Sequence, residues 1–365
     1  FAGSGEMGMV KTVPDNLAPG SDTANLSVLG YDPLKYYSGR SPFEAASIGI
    51  PLELSDVTFR CNFVTLSAEE PYEEKIILDH SADEISTEEA DQLIATVNEH
   101  FKTEQMEFFT GFSYRHILVW HNAPSDYKLT PPHDILTRKI GDYLPKGKDS
   151  GILLTMMKSS YEFLKDHSVN LKRRERGLRP GNSIWLWGEG RKPDLTGFAE
   201  KYGLKGSVVS AVDLIKGLGV CAGMRTVEVE GATGNVHTNY IGKAKAALQE
   251  LASGQDFVYI HIEAPDECGH RAELENKVLS IEKIDKEVIG TILKGLEGQD
   301  FRIMVLPDHS TPLSVRTHTK DPVPFVIYDS TKPKAGQAVF NEQSASLTGL
   351  FVEKGYTLMD RFIYG

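Results

Sequence analysis

Cysteine, long apolar runs and positive charge are all in short supply in this chain. Its 365 residues include three cysteines, Cys61, Cys221 and Cys268, too few and too scattered for a disulfide framework or a thiolate zinc site. Reduced thiols follow, and Cys268, although it lies inside a motif described below, reads as packing rather than as a nucleophile. No stretch approaches the ~20 consecutive apolar residues of a membrane span, and no basic segment leading into an apolar one opens the chain; a cytoplasmic protein is expected. The 39 Lys and Arg stand against 51 Asp and Glu, a formal charge of -12, which argues against nucleic acid or an anionic membrane surface as partner. Small anions can still be held by local basic clusters. Internal repeats and low-complexity tracts are absent as well.

Hydrophobic residues make up 40% of the chain, enough for a sizeable core, and at ~100 to 200 residues per domain two domains are expected. From residue 257 onward, apolar strands alternate with helices: DFVYIHIEA, a long amphipathic run over 274–296, then FRIMVLP. The preceding SVVSAVDLIKGLGVCAGM, TVEVEG and TNYIGKAKAALQELASG follow the same rhythm. Buried strands joined by helices predict an α/β domain with a mostly parallel sheet. The middle of the chain differs. Short strand-like runs (VTFRCNFVTL, EKIILDH, MEFFTGFSYRHILVWH) surround a helix opened by a capping box at 86–89, and a second helix is expected over 151–167. This α+β texture predicts an insertion at 54–182 within a core formed by 1–53 and 183–365, with linkers near Glu53 and Asn182.

Three short segments concentrate the chemistry. APDECGH places Asp266 and His270 four residues apart, on one side of a helical turn. LPDHST carries Asp308 and His309 at the end of an apolar strand, where open α/β sheets bind ligands, and RTHT carries His318. Two carboxylates and three imidazoles without a thiolate suit Mn²⁺, Zn²⁺ or Mg²⁺, and five ligands overfill a single tetrahedral site that must keep a position open, so two ions are expected. Taken singly, His309 and His318 also read as loop residues and Asp308 as a helix cap; their coincidence at strand ends favours a site. Near the start, APGSDTANLS predicts a turn at Gly20 opening a helix, where Ser21 is either a nucleophile beside an anion-binding helix end or, like Asp22, an ordinary cap. Beside two divalent ions, its hydroxyl would be activated for attack on phosphorus.

APGSDTANLSVLGYDPLKYYSGRSPFEAASIGI, NSIWLWGEGRKP, SAVDLIKGLG, VEGATG, YIHIEAPDECGH, LPDHSTP and RTHTKDPVPF together resemble the archaeal-type branch of cofactor-independent phosphoglycerate mutases, in the alkaline phosphatase superfamily. The resemblance runs over nearly the whole chain. It implies an alkaline-phosphatase-like core with an inserted substrate-binding cap. It also implies interconversion of 3- and 2-phosphoglycerate through a phosphoserine, with two metal ions, Mn²⁺ foremost, and no 2,3-bisphosphoglycerate. Carried over by motif, Ser21 is the phosphorylated nucleophile, Asp266, His270 and His318 hold one ion, and Asp308, His309 and Ser21 hold the other. The family opens with an apolar strand ending in GlyAspGly, whose aspartate is a further ligand. No such strand precedes Phe1, and the expectation is that the numbering begins inside a longer chain.

Substrate carboxylate and phosphate require Arg forks and His. Candidates in the insertion are Arg115, His116, His133, Asp134, Arg173 and Arg174, with Arg191 beside it; Asp134 is also a candidate base, and Arg173 and Arg174 lie in a charge run that can equally be a solvated face. Asn182, Trp185 and Trp187 read as hinge and core, and Arg40 either reaches phosphate or pairs with Glu44. The partner expected is a small phosphorylated molecule. Related phosphotransferases acting as homoserine kinases, phosphatases, and a scaffold with a degenerate site are the alternatives on the same fold.

Overall fold

The computed structural model describes residues 1–124 and 127–365. The chain divides into two compact units, one formed by Phe1–Tyr37 with Asp194–Gly365, the other by Ser38–Pro193. These edges lie outside the expected 54 and 182. Strand Ser183–Arg191 pairs along Asp56–Leu66, and helix Ser41–Ser47 bonds to it through Ser41 and Thr58, so both belong to the inserted unit. Asn182 is no linker residue. Its amide bonds both the N–H and the C=O of Leu66, each at 2.8 Å, inside that unit.

The discontinuous unit carries two sheets. Arg225–Val227, Gly206–Val209 and Phe257–Ile260 form a parallel three-stranded sheet. Arg302–Val305, Val323–Asp329, Glu6–Val10 and Phe351–Val352 form a second, in which only the last pair is parallel. The expected mostly parallel sheet therefore holds only for the first. An apolar strand has the same composition whichever way its neighbour runs, and Val323–Asp329 turns back on both Arg302–Val305 and Glu6–Val10. The long run expected over 274–296 is a helix, Leu274–Lys283, a π-turn, Ile284–Ile289, and a final turn, Gly290–Gly295.

The inserted unit is an antiparallel sheet centred on Asp56–Leu66, flanked by Arg115–His121 and Ser183–Arg191. Helix Thr87–Phe101, capped by Ser86, buries Ala90, Leu93, Ile94 and Val97, and Gly151–Leu164 packs with it in a core that includes Phe59, Cys61, Phe63 and Trp185. Its strand residues alternate with period two, so Thr58, Arg60 and Asn62 share the face opposite Phe59, Cys61 and Phe63. Among the described residues no helix is long and apolar enough to cross a membrane.

Candidate active site

Every residue of the metal and nucleophile motifs lies in the discontinuous unit. Helix Ser21–Val28 starts after Gly20, which occupies the cap position in an extended conformation. Ser21 is thus the first helical residue rather than the cap, and its Oγ lies 3.0 Å from His309 Nε2. Asp22 is held aside, accepting from Thr23 N at 2.8 Å and from the Tyr37 hydroxyl at 2.7 Å. One turn on, the fully buried Asn25 donates 2.7 Å to Ser21 O and 2.7 Å to Asp308 Oδ2, and it accepts the Tyr259 hydroxyl.

Helix Ala264–Arg271 begins with Pro265 in its first turn, a position where the missing N–H is harmless. It presents Asp266 and His270 together, Oδ2 to Nε2 at 3.3 Å. The loop after Arg302–Val305 supplies Asp308 and His309 and starts no helix, which removes the cap reading of Asp308. Thr12 Oγ1 fixes that loop by donating to Asp308 O at 2.6 Å. A bridge from Thr319 N to Ser310 O, 3.0 Å, folds the chain back so that the rings of His309 and His318 come within 4.0 Å, centre to centre. Arg316, in the left-handed region at φ 59°, turns its carbonyl to His270 Nδ1 at 3.0 Å. Lys277 Nζ ties helix to loop, donating 3.0 Å to both Pro265 O and Thr311 O. The approach is so close that a Cβ on Gly269 would fall 2.5 Å from Thr311 O, which explains a glycine inside a helix.

Asp266, His309 and His318 offer ligand atoms all within 4.8 Å of one another. His318 Nε2 lies 3.2 Å from Asp266 Oδ1, and His270 Nε2 lies 3.0 Å from His318 Nε2. The donor chemistry fits a divalent cation. His270 Nδ1 is committed to a carbonyl, so its Nε2 is the nitrogen that points with His318 Nε2 and Asp266 Oδ2 into one space, where a shared cation would be held. Burial alone would raise the Asp266 carboxyl; the hydrogen bonds from His318 and Thr311 and the imidazole charges outweigh it and hold the group well below the usual range. Burial depresses His318, and its pairing with Asp266 outweighs that and raises it.

The second grouping is sparser. Asp308 Oδ2 lies 3.5 Å from His309 Nε2 and 3.9 Å from His261 Nε2, and the latter is 3.4 Å from Glu263. With two carboxylates at Nε2, the proton of a neutral imidazole sits there, and Nδ1 accepts from the Ser210 hydroxyl at 3.3 Å, whose oxygen accepts from Val212 N. Burial, against the charge of Asp308, pushes His261 down to about 4 and keeps it neutral. Buried Lys243 holds the same segment through His261 O at 3.2 Å.

Sequence reasoning missed Asn25, Tyr259, His261, Glu263, Thr311 and Lys277. The signals were present: Asn25 falls four residues after Ser21, and His261 and Glu263 lie between the strand and Asp266.

In the inserted unit the nominated residues separate. His133 and Arg115 are exposed, His133 5.3 Å from the Trp187 ring and Arg115 beside Tyr114. Asp134 is 3.7 Å from His133. His116 is 1% exposed, accepts from Gly111 N, packs on Phe63 and is pushed by burial down to about 3, so it is a neutral core residue. Arg173 is buried on Glu89, Ala82 O and Arg179 O; Arg174 bonds Lys165 O; Arg191 bonds Ser55 O and Ala123 O. These three arginines tie structure together. Arg40 takes the plainer of its two readings, pairing with Glu44 at 2.6 Å. Trp185 donates to Thr130 O and Trp187 to Asn62 Oδ1.

Comparison with known proteins places this arrangement. A family model described as 2,3-bisphosphoglycerate-independent phosphoglycerate mutase matches residues 2–170. The Methanosarcina mazei protein of that name is 48% identical over 348 residues, covering 94% of this chain and 86% of its own. The Methanosarcina acetivorans protein is 46% identical over 368 residues, covering 100% and 91%. Among solved structures, a cofactor-independent phosphoglycerate mutase from Thermoplasma acidophilum superposes with a TM-score of 0.66 at 26% identity, over 100% of this chain and 89% of that one. A Pyrococcus horikoshii protein gives 0.79 at 29% identity, over 100% and 87%. The chain belongs to the 2,3-bisphosphoglycerate-independent phosphoglycerate mutase family.

Proposed function

We propose that the chain interconverts 3- and 2-phosphoglycerate through a phosphoserine at Ser21, without 2,3-bisphosphoglycerate. The observation that carries this reading is the 3.0 Å approach of Ser21 Oγ to His309 Nε2, inside the Asp266, His309 and His318 grouping. Thr311 donates its hydroxyl proton to Asp266, so its oxygen can only accept from His309 Nδ1–H at 3.3 Å. With its proton on Nδ1, His309 turns the Nε2 lone pair toward Ser21, so a cation bound there would take both the imidazole nitrogen and the serine oxygen, which suits that oxygen for in-line attack on phosphorus. Asn25, anchored on Asp308, fixes the helix that carries Ser21.

Asp266, His270 and His318 would hold one divalent ion and Asp308, His309 and Ser21 another, Mn²⁺ foremost. When bound, such ions lower the pKa of the serine hydroxyl and neutralise phosphoryl oxygens. The remaining steps return the phosphoryl group from Ser21 to the other hydroxyl of the retained glycerate, whose proton passes to a side-chain base. We read the discontinuous unit as an alkaline-phosphatase-like core, the inserted unit as its substrate-binding cap, and the protein as a cytoplasmic enzyme of sugar metabolism.

The test is conversion of 3-phosphoglycerate by the protein with Mn²⁺, coupled to enolase. Formation of 2-phosphoglycerate, abolished in S21A, supports the reading. Release of inorganic phosphate alone indicates a phosphatase. Inertness toward phosphoglycerate with phosphorylation of homoserine indicates a kinase.

A further inference from the structure

Arg60 lies in the middle of Asp56–Leu66 and is 8% exposed. Its Nε is 2.9 Å from Glu44 Oε2, and its guanidinium carbon stands 4.1 Å from the centre of the Trp187 ring. Those are its protein partners among the described residues; the four N–H bonds of its two terminal nitrogens have none. Those terminal nitrogens are not among the buried polar atoms left without a partner, so they open to solvent with donors in excess of the acceptors around them, and neither helix nor sheet bonding requires the side chain there.

The surroundings add to the imbalance. Glu44 is shared with Arg40, and the charges of Arg40 and Arg115 act on both Arg60 and Glu44. His133 packs edge-on against Trp187, ring centres 5.3 Å apart, with His80 6.1 Å beyond it. Trp187 is itself locked by its indole N–H on Asn62 Oδ1 at 3.0 Å, and Asn62 by donation to His80 O at 3.1 Å. An arginine stacked on an aromatic ring and tethered through Nε presents its outer edge as a fixed, planar fork, the shape that matches two oxygens of a carboxylate or phosphate.

We propose that Arg60, held by Glu44 and Trp187, is the oxyanion-binding fork of the inserted unit, with Arg115 and His133 beside it. The occupant is a small organic acid or phosphate ester. That this anion belongs to the substrate rests on the functional reading above; that the site binds oxyanions does not.

The experiment is calorimetric titration of the whole protein in EDTA, which silences binding through metal, with three probes: D-glycerate (carboxylate alone), glycerol 3-phosphate (phosphate ester alone) and 3-phosphoglycerate. The proposal expects at least one of the single-anion probes to bind, and the one that does identifies the oxyanion. R60Q should weaken it by at least about tenfold, the loss of charge-assisted hydrogen bonds. R60K, which keeps the charge and loses the fork, should also weaken it, and the Trp187 fluorescence change on binding should disappear in R60Q. Thermal melting of both variants separates misfolding from lost binding. Affinities for all three probes within twofold of wild type in folded R60K and R60Q would overturn the proposal, as would absence of binding by either single-anion probe to the wild type. An R60Q effect in a protein inactive on phosphoglycerate leaves the fork standing and removes the mutase reading; full mutase activity with unchanged KM in R60Q does the reverse.

Discussion

Asn25 Nδ2 lies 2.7 Å from Asp308 Oδ2, joining the helix of the serine to the loop of a carboxylate proposed as a metal ligand. Its other proton goes back to Ser21 O, and Tyr259 orients its oxygen. The amide is therefore fully used and cannot turn. Outer-sphere residues of this kind typically contribute about 10- to 100-fold in metal affinity or activity. N25A is expected to lower kcat by about that factor and to weaken Mn²⁺ binding, while KM for phosphoglycerate changes little. N25D, which faces Asp308 with a second carboxylate, should fall further at neutral pH. Steady-state kinetics with Mn²⁺ titration checks both.

Asp266 touches His270, His318 and Thr311 at once. Removing its charge should disable the site rather than weaken it. D266N is expected to lose more than about a hundredfold in activity. It should also lose the rise in melting temperature that Mn²⁺ gives the parent protein, since a ligand that binds only the folded state stabilises it by mass action. Melting curves with and without EDTA read this directly.

Arg173 invites a different outcome. Buried on Glu89 and two backbone carbonyls, it secures the 79–84 turn to the helix that follows it. Breaking one side of a buried ion pair typically destabilises by about 3 to 5 kcal/mol. R173A should therefore show a large loss in urea unfolding, while the folded fraction keeps its KM.

Asp79 supplies a pH dependence away from the metal residues. Burial opposes its ionisation, yet the Ser81 N–H and hydroxyl, Arg179 and the Asp83 N–H lower the group to about 2. It holds a turn in which Ala82, Asp83 and Glu84 all have positive φ, a costly conformation for residues with a Cβ. A depressed carboxyl contributes stability that is complete above its unfolded pKa and is lost as pH falls toward the folded value. D79N should therefore melt below wild type at neutral pH, and the gap should close between about pH 4 and pH 2. Differential scanning calorimetry across that range decides it.

The residues of the proposed site stand out in the chain because they follow local rules. Asp266 and His270 are four apart on one helix, Asp308 and His309 follow one strand, and each segment is short enough to carry its own meaning. What brings them together is not local: the bridge from Thr319 to Ser310, the left-handed Arg316 and the clamp of Lys277 are tertiary. The unit edges were misplaced because Ser183–Arg191 has the composition of a core strand, and only its pairing with Asp56–Leu66 reveals its allegiance. Basic residues misled in the same way. The run around Arg173 stands out in the sequence yet is structural, whereas Arg60, alone in an apolar strand, is noticeable only once Thr58, Arg60 and Asn62 are placed on one face.

The central claim is that Ser21 carries the phosphoryl group. Rapid acid quench of the protein turning over 3-phosphoglycerate with Mn²⁺, followed by peptide mass spectrometry, tests it most directly. A phosphate on Ser21 that appears with substrate, vanishes in S21A together with turnover, and stays off His309 is the result expected. Turnover that survives S21A, or a phosphoryl group found on another residue, would contradict it.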